Sequence, residues 1–147
     1  MADTMSHKSL KFVLLTPSKK LVETEASEVC IPAYLGEMGI LPSHEAAVLQ
    51  LGYGVLSYVD GGERHYFAIE AGVAEVCDNV VTVLADCAEP ASAVDAERAR
   101  KSLVRAQERR RGLTAAELVD MERADKAEAR ANARLDALAR LSISDRK

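Results

Sequence analysis

A change of composition near residue 88 divides this chain into two differently built parts. Seven of the eight glycines and all six phenylalanine and tyrosine residues precede residue 73, whereas alanine and arginine dominate the end of the chain. Charge changes at the same place: residues 1–88 carry 5 Lys and Arg against 12 Asp and Glu, and residues 89–147 carry 14 against 11. With 147 residues in total, this division predicts one small domain followed by an appendage.

The first part has the pattern of short antiparallel strands. Apolar segments of seven or eight residues flank the dipeptide Gly61-Gly62 and the residue Asn79, which tolerate the positive φ of tight hairpin turns. Within 63–69, His65, Phe67 and Ile69 alternate with Arg64, Tyr66 and Ala68, which is the period of a half-buried strand. Residues 1–87 are therefore predicted to form an antiparallel β-sandwich or flattened barrel. Aromatic residues make up only 4% of the chain and tryptophan is absent, so an aliphatic core is expected.

The second part is predicted to be a linker over 88–94 and a helical hairpin over 95–147. Pro90 marks the linker, and Ser92 to Asp95 can form a capping box at the start of the first helix. Gly112 is a candidate helix end, and Thr114 to Glu117 is a second capping box that restarts a helix running to about Leu141. A short connection makes the two helices antiparallel. Their apolar stripe is mostly alanine, which buries little area, so the hairpin should need another surface. On the second helix the predicted stripe comprises Leu118, Met121, Ala124, Ala131, Leu135 and Leu138.

Enzymatic chemistry finds little support among the residues. Ser43 and His44 are adjacent, but no GxSxG nucleophile elbow is present, and neither is a phosphate-binding loop. The three histidines are isolated, and Cys30, Cys77 and Cys87 form no CxxC pair. We therefore predict no catalytic residue, no metal site, no required cofactor and reduced cysteines.

Nucleic acid and membrane insertion are also not expected. The arginine run at 108–112 belongs to a region in which Glu and Asp alternate with Arg and Lys at helical spacing, and no aromatic residue follows Phe67. No run of eighteen apolar residues exists, and the first residues contain no apolar segment of the kind a signal peptide needs.

The stretch GEMGILPSH at 36–44 is the least regular in the first part. It combines two glycines, a proline, a carboxylate and an imidazole, with no helical or strand period, and it is a candidate docking loop. Its candidate docking residues are Gly36, Glu37, Met38, Gly39, Ile40, Pro42, Ser43 and His44.

This stretch resembles the motif G-[ED]-[LM]-G-[IV]-x-P-G-H of the epsilon subunit of bacterial F-type ATP synthase, with Ser43 in place of the last glycine. AIEAGVAEV (68–76) and NVVTVLAD (79–86) resemble two sheet segments of that family. VDAERA (94–99) resembles the nucleotide-binding motif [IL]-D-x-x-R-A of its helical hairpin, with Val94 as a conservative departure. The resemblance covers nearly the whole chain in order.

The resemblance implies a non-catalytic rotor subunit that couples proton translocation to ATP synthesis. The β domain would sit on the gamma subunit, and the loop with Glu37 and His44 would face the c-ring. The complex would hold the chain peripherally at the cytoplasmic face of the bacterial inner membrane. The hairpin would move and inhibit hydrolysis by transient contact with the alpha/beta catalytic head. Basic residues that match an acidic segment of the beta subunit are Arg123, Lys126, Arg130 and Arg134.

The resemblance also implies that ATP is a regulatory ligand of the hairpin. The motif supplies Asp95, Arg98 and Ala99, and the candidates placed around it by spacing are Glu89, Arg105, Arg130 and Arg134. Carboxylates are expected to take the adenine amino group or ribose hydroxyls, and guanidinium groups to take the phosphates. The alternative is that Asp95 only caps its helix and pairs with Arg98. A free-standing ATP-binding sensor is the alternative function, and it would not associate with a gamma-like partner.

Overall fold

The computed structural model describes residues 8–112 and 118–146, which form eight strands, a short 3-10 turn and two helices. The strands are β1 (Leu10–Leu15), β2 (Lys20–Ala26), β3 (Glu28–Ala33), β4 (Gly36–Ile40), β5 (Ala47–Leu51), β6 (Gly54–Asp60), β7 (Glu63–Cys77) and β8 (Val80–Pro90). The 3-10 turn spans Ala91–Ala93, and the helices are α1 (Ala96–Gly112) and α2 (Leu118–Ser144). The predicted order of a β domain followed by a helical hairpin is confirmed.

The strands form one hydrogen-bonded network in the order β2-β1-β8-β7-β5-β3-β4. Strand β6 pairs with both β3 and β7, so the network closes on itself as a flattened sandwich. Strand β7 pairs with β6 before residue 70 and with β5 after it, and the change of direction falls at Ala71 and Gly72, with φ of 45° and 120°. The predicted antiparallel β-sandwich is confirmed, with one parallel pairing that the sequence did not indicate, between β1 and β8.

The core lies inside this sandwich and is mainly aliphatic, as expected. Three aromatic side chains nevertheless join it: the rings of Phe12 and Tyr58 lie 4.9 Å apart, and Phe67 stacks beyond Tyr58. The ring of His65 stacks on Tyr58 at 4.8 Å, so this histidine belongs to the packing of the β domain.

Two strands differ in extent from the prediction. Residues 36–40 form the edge strand β4, paired along its length with β3, although the sequence showed no strand period there. The strand does alternate, since Met38 packs against the core and Ile40 is buried. Gly36 and Gly39 have no side chain, so this alternation of inward and outward side chains is not visible in the sequence. Strand β8 continues to Pro90, so residues 88–90 belong to the sheet rather than to the predicted linker.

The first helix is capped differently from the prediction. The amide of Arg98 donates to the Asp95 carboxylate at 3.0 Å, so Asp95 is the N-cap, whereas Ser92 lies in the 3-10 turn. Gly112 is the last residue of α1. The predicted capping box from Thr114 to Glu117 falls outside the described residues.

Alanines make the close contacts of the hairpin. Ala99 and Ala106 of α1 are buried, as are Ala124 and Ala131 of α2. The larger residues of the predicted stripe differ: Met121 is exposed, Leu135 and Leu138 are half-buried, and the side chain of Leu118 lies outside the described part.

Helix α2 also packs against the β domain, and this contact supplies the second surface that the alanine seam was predicted to need. Ala133 and Ala137 are buried with Val55 and Ala68 of the sandwich and with Ala91 of the 3-10 turn. Small side chains allow the helix backbone to come close to β6 and β7. Neither described helix is apolar enough over a sufficient length to span a membrane.

Candidate functional site

Residues 36–44, which we call the rotor loop after the docking role predicted for them, begin with the edge strand β4. Antiparallel pairing sets Glu37 opposite Pro32 and Gly39 opposite Cys30. Because Met38 packs against the core and Ile40 is buried, Glu37 and Gly39 face outward. Strand pairing therefore holds a carboxylate on the open edge of the sheet.

The second half of the rotor loop is a tight turn around Pro42 and Ser43. The amide of His44 donates to the carbonyl of Leu41 at 3.2 Å, and Ser43 has a φ of 66°. Proline followed by a positive φ is the arrangement of a type II turn, in which glycine is preferred at the second central position. Ser43 therefore occupies, at a conformational cost, the position where the family motif has glycine.

Asn79 fixes this turn from the neighbouring hairpin. Its side-chain oxygen accepts from the Ser43 amide at 2.9 Å, and its side-chain nitrogen donates to the carbonyl of Ser9 at 2.7 Å. The turn between β7 and β8 thereby holds the rotor loop in place.

The two ionisable side chains of the rotor loop have different partners. His44 Nδ1 lies 2.8 Å from the carbonyl of Glu45, and since a carbonyl only accepts, Nδ1 is the donor. Glu37 Oε1 accepts from Nη2 of Arg140 on α2 at 2.5 Å, a contact that no sequence pattern predicted. This hydrogen bond is the main reason that the pKa of Arg140 lies above its ordinary value.

A cleft of about 270 Å³ opens where the sandwich meets the hairpin. Its lining residues are Glu89, Ala93, Asp95, Arg98, Ala99, Ser102 and Arg134. Five of the seven residues predicted for the nucleotide come together here, and Ala93 and Ser102 were missed. Ser102 lies four residues after Arg98 on the same face of α1, which is the signal that could have identified it.

The charges in this cleft are partly paired. Arg134 Nε lies 2.6 Å from Glu89 Oε2, and Arg134 Nη2 lies 3.6 Å from Glu70 Oε1. Burial alone would lower the pKa of Arg134, but the hydrogen bond to Glu89 and the two nearby carboxylates outweigh burial and raise it. The Asp95 carboxylate caps α1, as the alternative predicted, but it accepts from the backbone amide of Arg98 and not from its guanidinium. Among the described residues, no acidic side chain forms an ion pair with Arg98. Its guanidinium is therefore the unpaired cation of this cleft.

Arg105 and Arg130 do not line the cleft, contrary to the prediction. Seven residues after Arg98, Arg105 lies about 10 Å further along the helix axis, and its Nε donates to the carbonyl of Lys101. Arg130 instead points to Glu70, with 3.3 Å between Nε and Oε2.

The four basic residues predicted to contact the catalytic head divide into two pairs. Arg123 and Lys126 are exposed, and Lys126 pairs with Glu122 of the same helix at 2.7 Å. Arg130 and Arg134 are paired with carboxylates of the β domain. The structure therefore has the hairpin docked, with half of the predicted contact charges turned inward.

A β-sandwich with an exposed polar loop at its edge and a helical hairpin docked on its side defines the structural class of this protein, a small two-part β-sandwich and helical-hairpin protein. The sequence matches the family described as "ATP synthase, Delta/Epsilon chain, beta-sandwich domain" over residues 9–91. It is 39% identical over 139 residues to the ATP synthase epsilon chain of Solibacter usitatus, covering 95% of this chain and 98% of that one. It is 42% identical over 102 residues to the epsilon chain of Nitratidesulfovibrio vulgaris strain DP4, covering 69% and 76%.

The fold is also similar to that of chains in two solved assemblies. One is in the Euglena gracilis mitochondrial ATP synthase, OSCP/F1/c-ring, with a TM-score of 0.71, 24% identity, and coverage of 97% of this chain and 85% of that chain. The other is in the central stalk/c-ring of the Tetrahymena thermophila mitochondrial ATP synthase, with a TM-score of 0.59, 15% identity, and coverage of 92% and 99%. The chain belongs to the ATP synthase epsilon chain family, the rotor subunits of the F-type enzyme, and the resemblance found in the sequence is confirmed.

Proposed function

We propose that the β-sandwich docks on the gamma subunit and the c-ring and so couples proton translocation to ATP synthesis, without catalysing a reaction itself. The observation that carries this proposal is the rotor loop, which strand pairing and Asn79 hold in place, with Glu37 exposed and His44 partly exposed. A fixed loop with one carboxylate and one imidazole suits a mixed polar surface such as the loops of a c-ring. The subunit would then be peripheral, at the cytoplasmic face of the bacterial inner membrane.

An apolar stripe on the outer face of the sheet suits the gamma subunit. Val48 on β5, Val73 on β7 and Leu84 on β8 are 72%, 45% and 46% exposed. Val73 and Leu84 are directly paired, and Val48 lies on the adjoining strand. Exposed apolar side chains grouped on neighbouring strands are typical of a protein interface.

Reconstitution with purified c-ring and gamma subunit tests rotor docking. Replacing Glu37 with Gln and His44 with Ala should weaken docking on the c-ring by about tenfold or more, because hydrogen bonds to charged groups are each worth about 1.5–3 kcal/mol. Glu45→Gln, an exposed carboxylate next to the loop, is the matched control. Equal docking by the double variant and the control would contradict the role of the loop, and no association with either partner would favour the free-standing sensor.

The hairpin is proposed to inhibit ATP hydrolysis when it leaves the β domain. Release would expose Arg130 and Arg134 in addition to Arg123 and Lys126, giving four cations along one side of α2 for transient contact with an acidic segment of the alpha/beta head. As one continuous helix, the 27 residues of α2 span about 40 Å. This reach supports contact with the catalytic head by a subunit that sits on the rotor.

ATP is proposed to bind the cleft and favour the docked hairpin without being hydrolysed. Arg98 is the free guanidinium for a phosphate contact, Ala99 leaves room, and Glu89 can accept from an adenine amino group or a ribose hydroxyl. Binding stabilises the docked hairpin only by the difference in ATP affinity between the docked and released states.

Calorimetric titration with ATP tests the cleft. Arg98→Ala should weaken binding by about tenfold or more, whereas Arg105→Ala, the matched control on the same helix, should bind as the wild type does. Equal affinity of all three proteins, or no binding to the wild type at millimolar ATP, would exclude this site.

A further inference from the structure

The C-terminal part of α2 touches the rotor loop through one ion pair, Arg140 with Glu37. The two residues are 103 positions apart, and their atoms approach to 2.5 Å. Arg140 is also held by Asp136 one turn earlier, at 3.6 Å. The side chains of Arg140 and Glu37 are 35% and 47% exposed, so the contact between them lies at the rim of the interface.

Packing elsewhere in the interface places this contact. Ala137, buried against the sandwich, lies three residues before Arg140 and fixes the rotation of α2 at this level. On the other side, pairing with β3 fixes Glu37 on the edge strand β4. The other ion pairs between α2 and the β domain involve Glu70 and Glu89, which are remote from the rotor loop in the sheet. Across residues 8–112 and 118–146, Arg140 provides the only ion pair between α2 and the rotor loop.

We infer that α2 and the c-ring compete for the carboxylate of Glu37, so that docking of the hairpin weakens docking on the rotor. This inference rests on the proposed function of the rotor loop. With the hairpin docked, Glu37 Oε1 is occupied by a guanidinium and its negative charge is neutralised. A rotor surface that recognises this carboxylate must first displace Arg140.

The competition is reciprocal. If Arg140 lowers the affinity of the rotor loop for the c-ring, the c-ring must lower the affinity of α2 for the β domain by the same factor. Assembly on the rotor would thereby loosen the end of the hairpin that has to move when the hairpin contacts the catalytic head. For a partly exposed ion pair the factor is about two- to fivefold.

The experiment compares the full chain with Arg140→Ala in binding to a purified gamma–c-ring subassembly at low salt. Arg146→Ala, an exposed arginine just beyond α2 without an ion pair in the described part of the chain, is the matched control. Arg140→Ala should bind about two to five times more tightly than both. Equal or weaker binding by Arg140→Ala would overturn the competition. Absence of binding by the wild-type chain would instead overturn the proposed rotor docking and the competition with it.

A double-mutant cycle in the free chain provides a second readout. Glu37→Gln, Arg140→Ala and the combined variant are compared for the rate of amide hydrogen exchange in the last three turns of α2. The effects of the two single changes should not add, because both remove the same ion pair. Additive effects, or no effect of either change, would show that the pair does not hold α2 and would overturn the inference.

Discussion

Replacement of Glu70 with Gln should release the hairpin from the β domain. Glu70 lies on β7 and is the carboxylate that faces two arginines of α2, with 3.3 Å to Arg130 Nε and 3.6 Å to Arg134 Nη2. Gln has the same shape but no charge. Arg134 keeps Glu89 as a partner after this change, whereas Arg130 loses its only ion pair with a described residue.

The expected magnitude follows from burial. The Glu70 side chain is 20% exposed, and Arg130 Nε is buried without a hydrogen bond of good geometry. Exposed ion pairs contribute about 0.2–1 kcal/mol, and removing one partner of a fully buried pair costs about 3–5 kcal/mol. For a pair between these limits we expect about 1–2 kcal/mol, which changes the ratio of docked to released hairpin by about 5- to 30-fold.

Amide hydrogen exchange in α2 measures this ratio. A released hairpin keeps only the contacts between α1 and α2 and loses the packing on the β domain, so exchange over residues 130–140 should accelerate by about 5- to 30-fold in Glu70→Gln. Glu122→Gln is the matched control, because Glu122 pairs with Lys126 inside α2 and not with the β domain. An acceleration below twofold, or one equally large in the control, would refute ionic docking of the hairpin.

Three further predictions concern the β domain. Ser43→Gly should stabilise the protein by about 0.5–1 kcal/mol in thermal melting, since glycine avoids the cost of the left-handed conformation; a lower melting temperature would contradict the type II turn. Gly72→Ala should destabilise the protein by about 3 kcal/mol or more, because a Cβ there would lie 2.2 Å from the Leu84 carbonyl oxygen. Gly39→Ala is the control and should be tolerated, because nothing lies within 4 Å of a Cβ at that position. Equal melting temperatures of the two variants would disprove the close approach at Gly72. Hydrogen bonds from Lys20 and Lys11 lower the pKa of Glu23 from 4.5 to about 2, so its stabilising contribution is present above pH 4.5 and is lost as the pH falls towards 2. Acid titration of stability should therefore be flatter in Glu23→Gln over this range, and an unchanged profile would refute this contribution.

Local signals were sufficient to predict the sandwich and the hairpin. Gly61 and Gly62 have φ of 56° and 88°, and Asn79 has 61°, so both turns adopt the conformations that their residue types favour. The alanine seam likewise indicated helices that need a further surface, and α2 packs on the β domain. In each case the structure depends on neighbours in sequence or on the period of one element.

Features that depend on distant residues were missed. The parallel pairing of β1 with β8 joins segments about 70 residues apart and leaves no local pattern. The partners of Arg140 and Arg130 are carboxylates on the sheet, and helical spacing alone could not assign them. Arg105 was placed on the correct face of α1, but the rise of the helix carries it past the cleft.

Removal of α2 from a reconstituted synthase tests most directly whether the β domain docks the rotor while the hairpin acts as a brake. The full chain is compared with a chain ending at Gly112, each reconstituted so that the complexes contain equal amounts of this subunit. The shortened chain should still assemble and support ATP synthesis driven by proton flow, and the rate of ATP hydrolysis should rise. An unchanged rate of hydrolysis would contradict the brake, and failure to assemble would contradict docking through the β domain alone.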